Sequence, residues 1–303
     1  MKENFEPCGV LVIDKPRGMT SHDVVGRVRR LYHTRKVGHT GTLDPMATGV
    51  LVVLVGRAAK AAEYLSVHSK EYLAVMRLGL TTDTEDVTGQ ILTTSGDIPS
   101  PSRVMEVAKT FEGDIMQVPP MYSALKIGGK KLVDLARKGI EVEREARPVT
   151  VHSLSCKHIK ENDYELRVVC SAGTYIRTLC ADIGKALGCG GIMAELERLS
   201  VGDFSLAHTV PLEDMGDMSD EERLSYLLPI ESLFDGLPAV GLPAFYERLC
   251  RSGCEIYQKK IGTEHKIGTR VRICDASGRF FALGEIREYE EGTAIKAIKQ
   301  FDI

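Results

Sequence analysis

The sequence has no long apolar run, no secretory leader pattern and no closely spaced cysteine pair. The longest unbroken apolar stretch is the six residues 50–55, far below the ~20 that a membrane helix needs. The first residues, Met1-Lys-Glu-Asn-Phe-Glu-Pro7, lack the apolar core of an export signal. Eight cysteines occur without a single Cys-x-x-Cys, the nearest spacing being Cys250 to Cys254. They read as reduced thiols of a cytoplasmic protein, and no metal site is expected. Glycine signatures are missing too: there is no Gly-x-Ser-x-Gly nucleophile elbow, no phosphate-binding P-loop and no Gly-x-Gly-x-x-Gly. The chain also lacks an excess of one charge, its net value being -3 at pH 7.

That average hides a pattern. Residues 1–70 carry eleven Lys and Arg against six Asp and Glu, residues 121–150 seven against four, and residues 241–303 eleven against nine, with acidic stretches between. On charge alone this is first of all the ordinary scatter of a solvated surface; the same blocks lining one face would suit an RNA partner. With 303 residues, 43% hydrophobic and 27% charged, the chain is an ordinary globular one, long enough for two domains.

Hydrophobic patterning places the elements. Residues 9–13 and 50–55 read as buried strands and residues 71–80 as a strand with alternating faces. Val24, Val25, Val28 and Leu31 stand at helical spacing behind a cap at Thr20 or Ser21. Residues 36–48 read as a long ordered loop, residues 58–65 as a helix, residues 149–154 and 164–170 as paired strands, residues 174–187 as a helix ended by Gly188, and residues 212–227 as an acidic helix. Residues 121–148 are basic, hold Gly128-Gly129 and have little apolar material, which predicts a projecting arm. Beyond residue 240 the strands shorten and turn signals multiply, as in a small β-rich domain.

The chemistry concentrates in Gly38-His-Thr-Gly-Thr-Leu-Asp44-Pro-Met-Ala-Thr-Gly49. Glycines permit close backbone approach, and Pro45 biases Asp44 toward extended geometry, so Asp44 is a carboxylate on a stiff loop beside a strand. Most such aspartates only bond their own turn. This run resembles the catalytic motif of the TruB family of tRNA pseudouridine synthases. Further segments resemble that family in the same order: residues 9–21 with Lys15-Pro16, Lys70-Glu-Tyr72 followed by Arg77-Leu-Gly79 and Thr82-Asp-Thr84, residues 119–126 through 144–148, Ser171-Ala-Gly-Thr-Tyr-Ile-Arg177, and Leu196-Glu-Arg-Leu199. The resemblance covers residues 9–205.

The resemblance implies an α+β (mixed α/β) pseudouridine synthase fold: a largely antiparallel sheet with flanking helices and a thumb insertion at residues 121–148, within a catalytic domain of residues 1–239. A PUA-like RNA-binding domain would follow at residues 240–303. It implies isomerisation of uridine-55 in the T loop of tRNA with no cofactor. Asp44 matches the nucleophile, Arg177 the arginine that pairs with it, and Tyr72 the active-site tyrosine. Tyr175 and Leu196 match pocket positions, His39 a histidine that fills the gap left by a flipped-out uridine, and Lys15 and Pro16 a supporting turn. Arginine suits its place because it stays charged and grips a carboxylate with two prongs. A base inside folded RNA must leave its stack before a carboxylate reaches it, and Lys126, Lys130 and Lys131, with Arg137 and Lys138, are placed to grip phosphates. The expected partner is the tRNA T-arm stem-loop, with no membrane, no obligatory protein partner and a monomeric state. A non-catalytic RNA-binding module has no need of Asp44, Arg177 and Tyr72 together. A hydrolase using His39 and Asp44 lacks a metal cluster or a Ser/Cys nucleophile motif, and a synthase guided by small RNAs depends on partner proteins.

Overall fold

The computed structural model describes residues 6–65 and 69–301. Strands β1 (Gly9–Lys15), β2 (Val37–His39) and β3 (Thr48–Val55) open the main sheet. The valines and leucines of β1 and β3 are buried on both faces, which is why these segments read as continuous apolar runs. β4 (Lys70–Leu78) alternates instead, burying Tyr72, Ala74, Met76 and Leu78. A small hairpin of β5 (Leu80–Thr82) and β6 (Ile91–Thr94) follows. The main sheet is extended by β7 (Gly113–Gln117) and, past the thumb hairpin β8 (Lys126–Ile127) and β9 (Lys130–Lys131), by β10 (Arg147–Lys160) and β11 (Asp163–Cys170). β12 (Gly191–Val201), β13 (Phe204–Ser205) and β14 (Val210–Pro211) complete it.

Among the described residues this sheet has ten strands, with the path β14-β1-β3-β12-β4-β11-β10-β7. Pairing is antiparallel except where β1 meets β14 and where β3 meets β12. The fold is therefore the mixed α/β type on a largely antiparallel sheet. The parallel contact is short, Glu197 against Thr48 and Arg198 against Gly49, and it lies beside the Asp44 loop.

Helices cover the sheet. α1 (Ser21–Leu31) starts on a reciprocal capping box between Thr20 and Asp23 and buries Val24, Val25 and Val28 against β1 and β3. α2 (Pro101–Lys109) and α4 (Ile176–Ala186) pack with β4, β10 and β11 around Val104, Leu179, Ile183 and Tyr164. Between them, in the thumb, lies the short α3 (Leu132–Ala136).

Four local expectations change. Residues 36–48 are not all loop, since β2 adds a strand to the edge of β3, Val37 facing Val55. Residues 56–64 do form a helix, but one of the 3-10 type that starts two residues earlier. Its buried Ala58 and Ala61 are three apart, the 3-10 repeat. The acidic stretch 212–227 splits into a short 3-10 helix at Asp214–Gly216 and a new helix at Asp220–Ser225, because Ser219 and Glu222 form a fresh capping box. The thumb, expected to be nearly without anchors, holds a fully buried Leu132 and a buried Ser123. Gly128 and Gly129 both take positive φ, +57 and +79, as a two-residue hairpin turn of this kind demands.

The C-terminal part is a five-stranded sheet between Ala239 and Gln300. Its strands 280–289 and 292–300 are ten and nine residues long, where the sequence pattern predicts short ones. This sheet is not insulated from the rest. Phe280, Leu283 and Phe301 share one apolar cluster with Phe234, Ile230, Val10, Val12, Val50 and Val52. The rings of Phe234, Phe280 and Phe301 lie 5.5–5.9 Å apart. All eight cysteines are free thiols. No helix among the described residues is long and apolar enough to cross a membrane.

Candidate active site

Two buried cations shape the Asp44 loop. Lys15, at the end of β1 and fully buried, donates through Nζ to the carbonyls of Pro16 (2.8 Å), Met19 (2.7 Å) and Pro45 (3.3 Å). Arg198, on β12 and 1% exposed, donates to the carbonyls of Val50 (2.7 Å), Gly41 (3.2 Å) and Thr42 (3.4 Å). Ser21 ties the far side, accepting from Leu43 N at 2.8 Å. A loop whose carbonyls are taken up by fixed cations has little freedom, so Asp44 is held as stiffly as its Pro45 neighbour suggests. Gly49 lets β3 come close enough to complete this arrangement: at φ +96, a Cβ there would stand 2.3 Å from the Arg198 carbonyl oxygen.

Arg177 meets Asp44 from the first turn of α4. Its Nε lies 2.9 Å from Oδ2 and its Nη2 donates to Oδ1 at 3.2 Å. The remaining donors go to Thr84 O (3.0 Å) and Tyr122 O (2.8 Å), and Asp86 Oδ2 stands 3.7 Å from Nη1. The Arg177 side chain is 6% exposed and that of Asp44 30%, so the cation is locked away while the carboxylate stays reachable. Burial raises the Asp44 carboxyl above its usual range; Arg177 opposes this, and the charge of Asp86 adds to it. Asp86 is itself buried, with Oδ1 accepting from Thr84 Oγ1, Thr88 N and Thr88 Oγ1.

Tyr72, on β4, is cross-strand to Arg198 and 6% exposed. Burial pushes its phenol up, Arg198 pulls it down, and the charge of Asp44 reaches it. Leu196 is buried in the same cluster as Tyr72 and Leu43. Tyr175 sits just ahead of α4, half-buried, two residues before Arg177. His39, on β2, is half-buried, and its Nδ1 has no hydrogen-bond partner among the described residues. Burial, reinforced by Arg198, lowers its imidazole, so it favours the neutral form. Lys126, Lys130 and Lys131 are exposed on the thumb hairpin, Lys126 cross-strand to Lys131, and they touch neither Asp44 nor Arg177.

The structure thus gathers Asp44, Arg177, Tyr72 and Leu196 at one place, with Tyr175 and His39 at its margin and the thumb lysines apart. Reasoning from sequence gave no role to Arg198, Asp86 or Gln117. Arg198 was findable: it stands two residues from buried Leu196 on one strand, so a charge falls in phase with a core face. Asp86 lies in a run of three threonines, 82, 84 and 88, whose hydroxyls all bond its carboxylate or its carbonyl. Nothing in the pattern marks Gln117.

The sequence as a whole matches known proteins. Residues 29–176 fit the TruB family pseudouridylate synthase (N terminal domain), and residues 177–235 fit the tRNA pseudouridylate synthase B C-terminal domain. The chain belongs to the TruB family of tRNA pseudouridine synthases. The tRNA pseudouridine synthase B of Clostridium kluyveri is 42% identical over 293 residues, 97% of this chain and 99% of that protein. Its counterpart in Dechloromonas aromatica is 44% identical over 277 residues, 91% of each. Among solved structures, a Cbf5-Nop10-Gar1 complex matches with a TM-score of 0.75 and 30% identity, over 97% of this chain and 84% of that one. As a member of this family the protein is an isomerase that acts on tRNA. The second matched region begins inside α4, at Arg177, so it does not coincide with the C-terminal sheet.

Proposed function

We propose that this enzyme converts uridine-55 in the T loop of tRNA to pseudouridine, with Asp44 as its nucleophile. The observation that carries this reading is the two-pronged Asp44–Arg177 pair, 2.9 and 3.2 Å, on a loop fixed by Lys15 and Arg198. The reaction breaks the N-glycosidic bond, turns the uracil and rejoins it through C5. One C–N bond is lost and one C–C bond forms, while C5 gives up a proton and the freed N1 takes one up, so that atoms balance with no net redox change. A carboxylate that engages the nucleotide during this exchange is sufficient covalent chemistry. It must be ionised, and Arg177 supplies the compensating charge that burial otherwise denies.

The other residues take roles around it. Tyr72 stacks on the uracil, and its hydroxyl moves a proton with Arg198 beside it. Tyr175 and Leu196 line the pocket for a base flipped from its stack, and the neutral His39 fills the space that the base leaves. Lys126, Lys130 and Lys131 hold backbone phosphates. The enzyme works as a cytoplasmic monomer without cofactor, metal or obligatory protein partner. Its catalytic domain spans residues 1–239, and the sheet beyond residue 240 is a PUA-like module that holds the tRNA on its acceptor side. Incubation with one unmodified tRNA transcript, followed by mapping of pseudouridine, tests the reading: product at position 55 supports it, and product elsewhere or none refutes it.

A further inference from the structure

Arg177 must be aimed, and its own helix does not aim it. α4 opens on Tyr175, which offers no capping side chain to the helix, so the first turn draws its fixation from outside. Thr178 Oγ1 donates to Glu85 Oε2 on one side of that turn; its start is held by Gln117, the last residue of β7 and 2% exposed. Its Oε1 accepts from Tyr175 N at 2.8 Å and its Nε2 donates to Tyr175 O at 3.0 Å. One side-chain amide thus reproduces the paired bonding of a strand neighbour on the residue two before Arg177.

The chain then runs through Val118, Pro119 and Pro120 into the thumb, and five residues after Gln117 the Tyr122 carbonyl accepts from Arg177 Nη2 at 2.8 Å. Two prolines stiffen the span between these attachments. From the far end of the thumb, Arg144 Nη1 donates to Pro119 O at 3.0 Å. The root of the thumb therefore grips one helical turn twice, once on the backbone at Tyr175 and once on the guanidinium itself.

We propose that Gln117 is a positioning residue: by fixing Tyr175 and the thumb root together it sets the orientation of Arg177 toward Asp44. The inference rests on the pseudouridine synthase reading above. It also gives the thumb a second task, since RNA held by Lys126, Lys130 and Lys131 bears on Arg177 through Tyr122. The effect belongs in the chemical step, where a displacement of about 1 Å costs up to roughly 100-fold.

Two variants test it against wild type, with single-turnover conversion of an unmodified tRNA transcript at saturating enzyme and with the Kd for that transcript. Gln117→Met keeps the length and removes both bonds. Its rate falls roughly 10- to 100-fold, while its Kd stays within about twofold. Gln117→Glu keeps the acceptor and loses the donor unless the carboxyl is protonated. Its rate relative to wild type therefore rises as the pH is lowered from about 8 to about 6, over the range where its circular dichroism matches wild type. A Gln117→Met rate equal to wild type, or a loss confined to Kd, overturns the proposal. If Gln117→Met does not fold, the Gln117→Glu ratio decides, a flat ratio overturning it. Absence of product from the wild type refutes the function itself, which separates the two failures.

Discussion

Replacing Arg177 by lysine keeps a positive charge and removes the fork. The guanidinium serves four oxygens at 2.8–3.2 Å: two of Asp44, one of Thr84 and one of Tyr122. A lysine has one nitrogen on a flexible stem and holds a carboxylate at one point. Loss of one charge-assisted bond to Asp44 costs about 2 kcal/mol, a fall of about 30-fold in the chemical step. Arg177→Met is harsher. It leaves Asp44 beside Asp86 with no compensating cation between them, and breaking a buried pair in this way costs roughly 3–5 kcal/mol. The Asp44 carboxyl, already raised, then rises further. A carboxyl whose folded value lies above its unfolded 3.8 binds more protons folded than unfolded, so its contribution to stability is lost as pH rises through that folded value. Single-turnover rates and thermal unfolding from about pH 5 to about pH 8 read both effects. In Arg177→Met the acid limb of the rate profile moves to higher pH, and the loss of Tm relative to wild type shrinks toward acid. An Arg177→Lys rate within twofold of wild type, or an acid limb that stays in place in Arg177→Met, refutes the reasoning.

Three further outcomes are expected. Gly49→Ala drives a Cβ into the Arg198 carbonyl, 2.3 Å away, at a positive φ, and lowers stability by about 3 kcal/mol, read as a shift of the urea midpoint. Lys126, Lys130 and Lys131 changed together to alanine leave Tm nearly unchanged, because the three are exposed; tRNA binding across a salt series then shows a higher Kd and a shallower slope, by roughly one unit per lost phosphate contact. Truncation after residue 239 strips Phe280, Leu283 and Phe301 from the cluster they share with Phe234, Val10 and Val52; the remaining chain loses thermal stability, seen as a lowered Tm, as well as RNA affinity.

The sequence was most informative where one element decides its own form. The valines of residues 50–55 and the alternation around Tyr72 give their strands directly, because side-chain phase is a property of a single segment. Segments balanced between two forms are less legible. Residues 212–227 look like one acidic helix until Ser219 caps a second start, and the alanines around Ala58 satisfy both a 3.6 and a 3.0 repeat. Asp44 and Arg177 lie 133 residues apart, so their pairing came from the family resemblance and not from periodicity. Arg198 could have been found from its phase with Leu196. Asp86 and Gln117 act through partners on other elements, and no local pattern records a partner.

Whether the Asp44 carboxylate performs the chemistry on a tRNA base is tested most directly by Asp44→Asn, since the substitution keeps the size and removes the charge. Wild type and variant are incubated with the same unmodified tRNA transcript, pseudouridine is mapped, and binding is measured in parallel. The wild type forms product at position 55, and Asp44→Asn forms none at a tRNA affinity close to wild type. Measurable turnover by Asp44→Asn would contradict that role of Asp44.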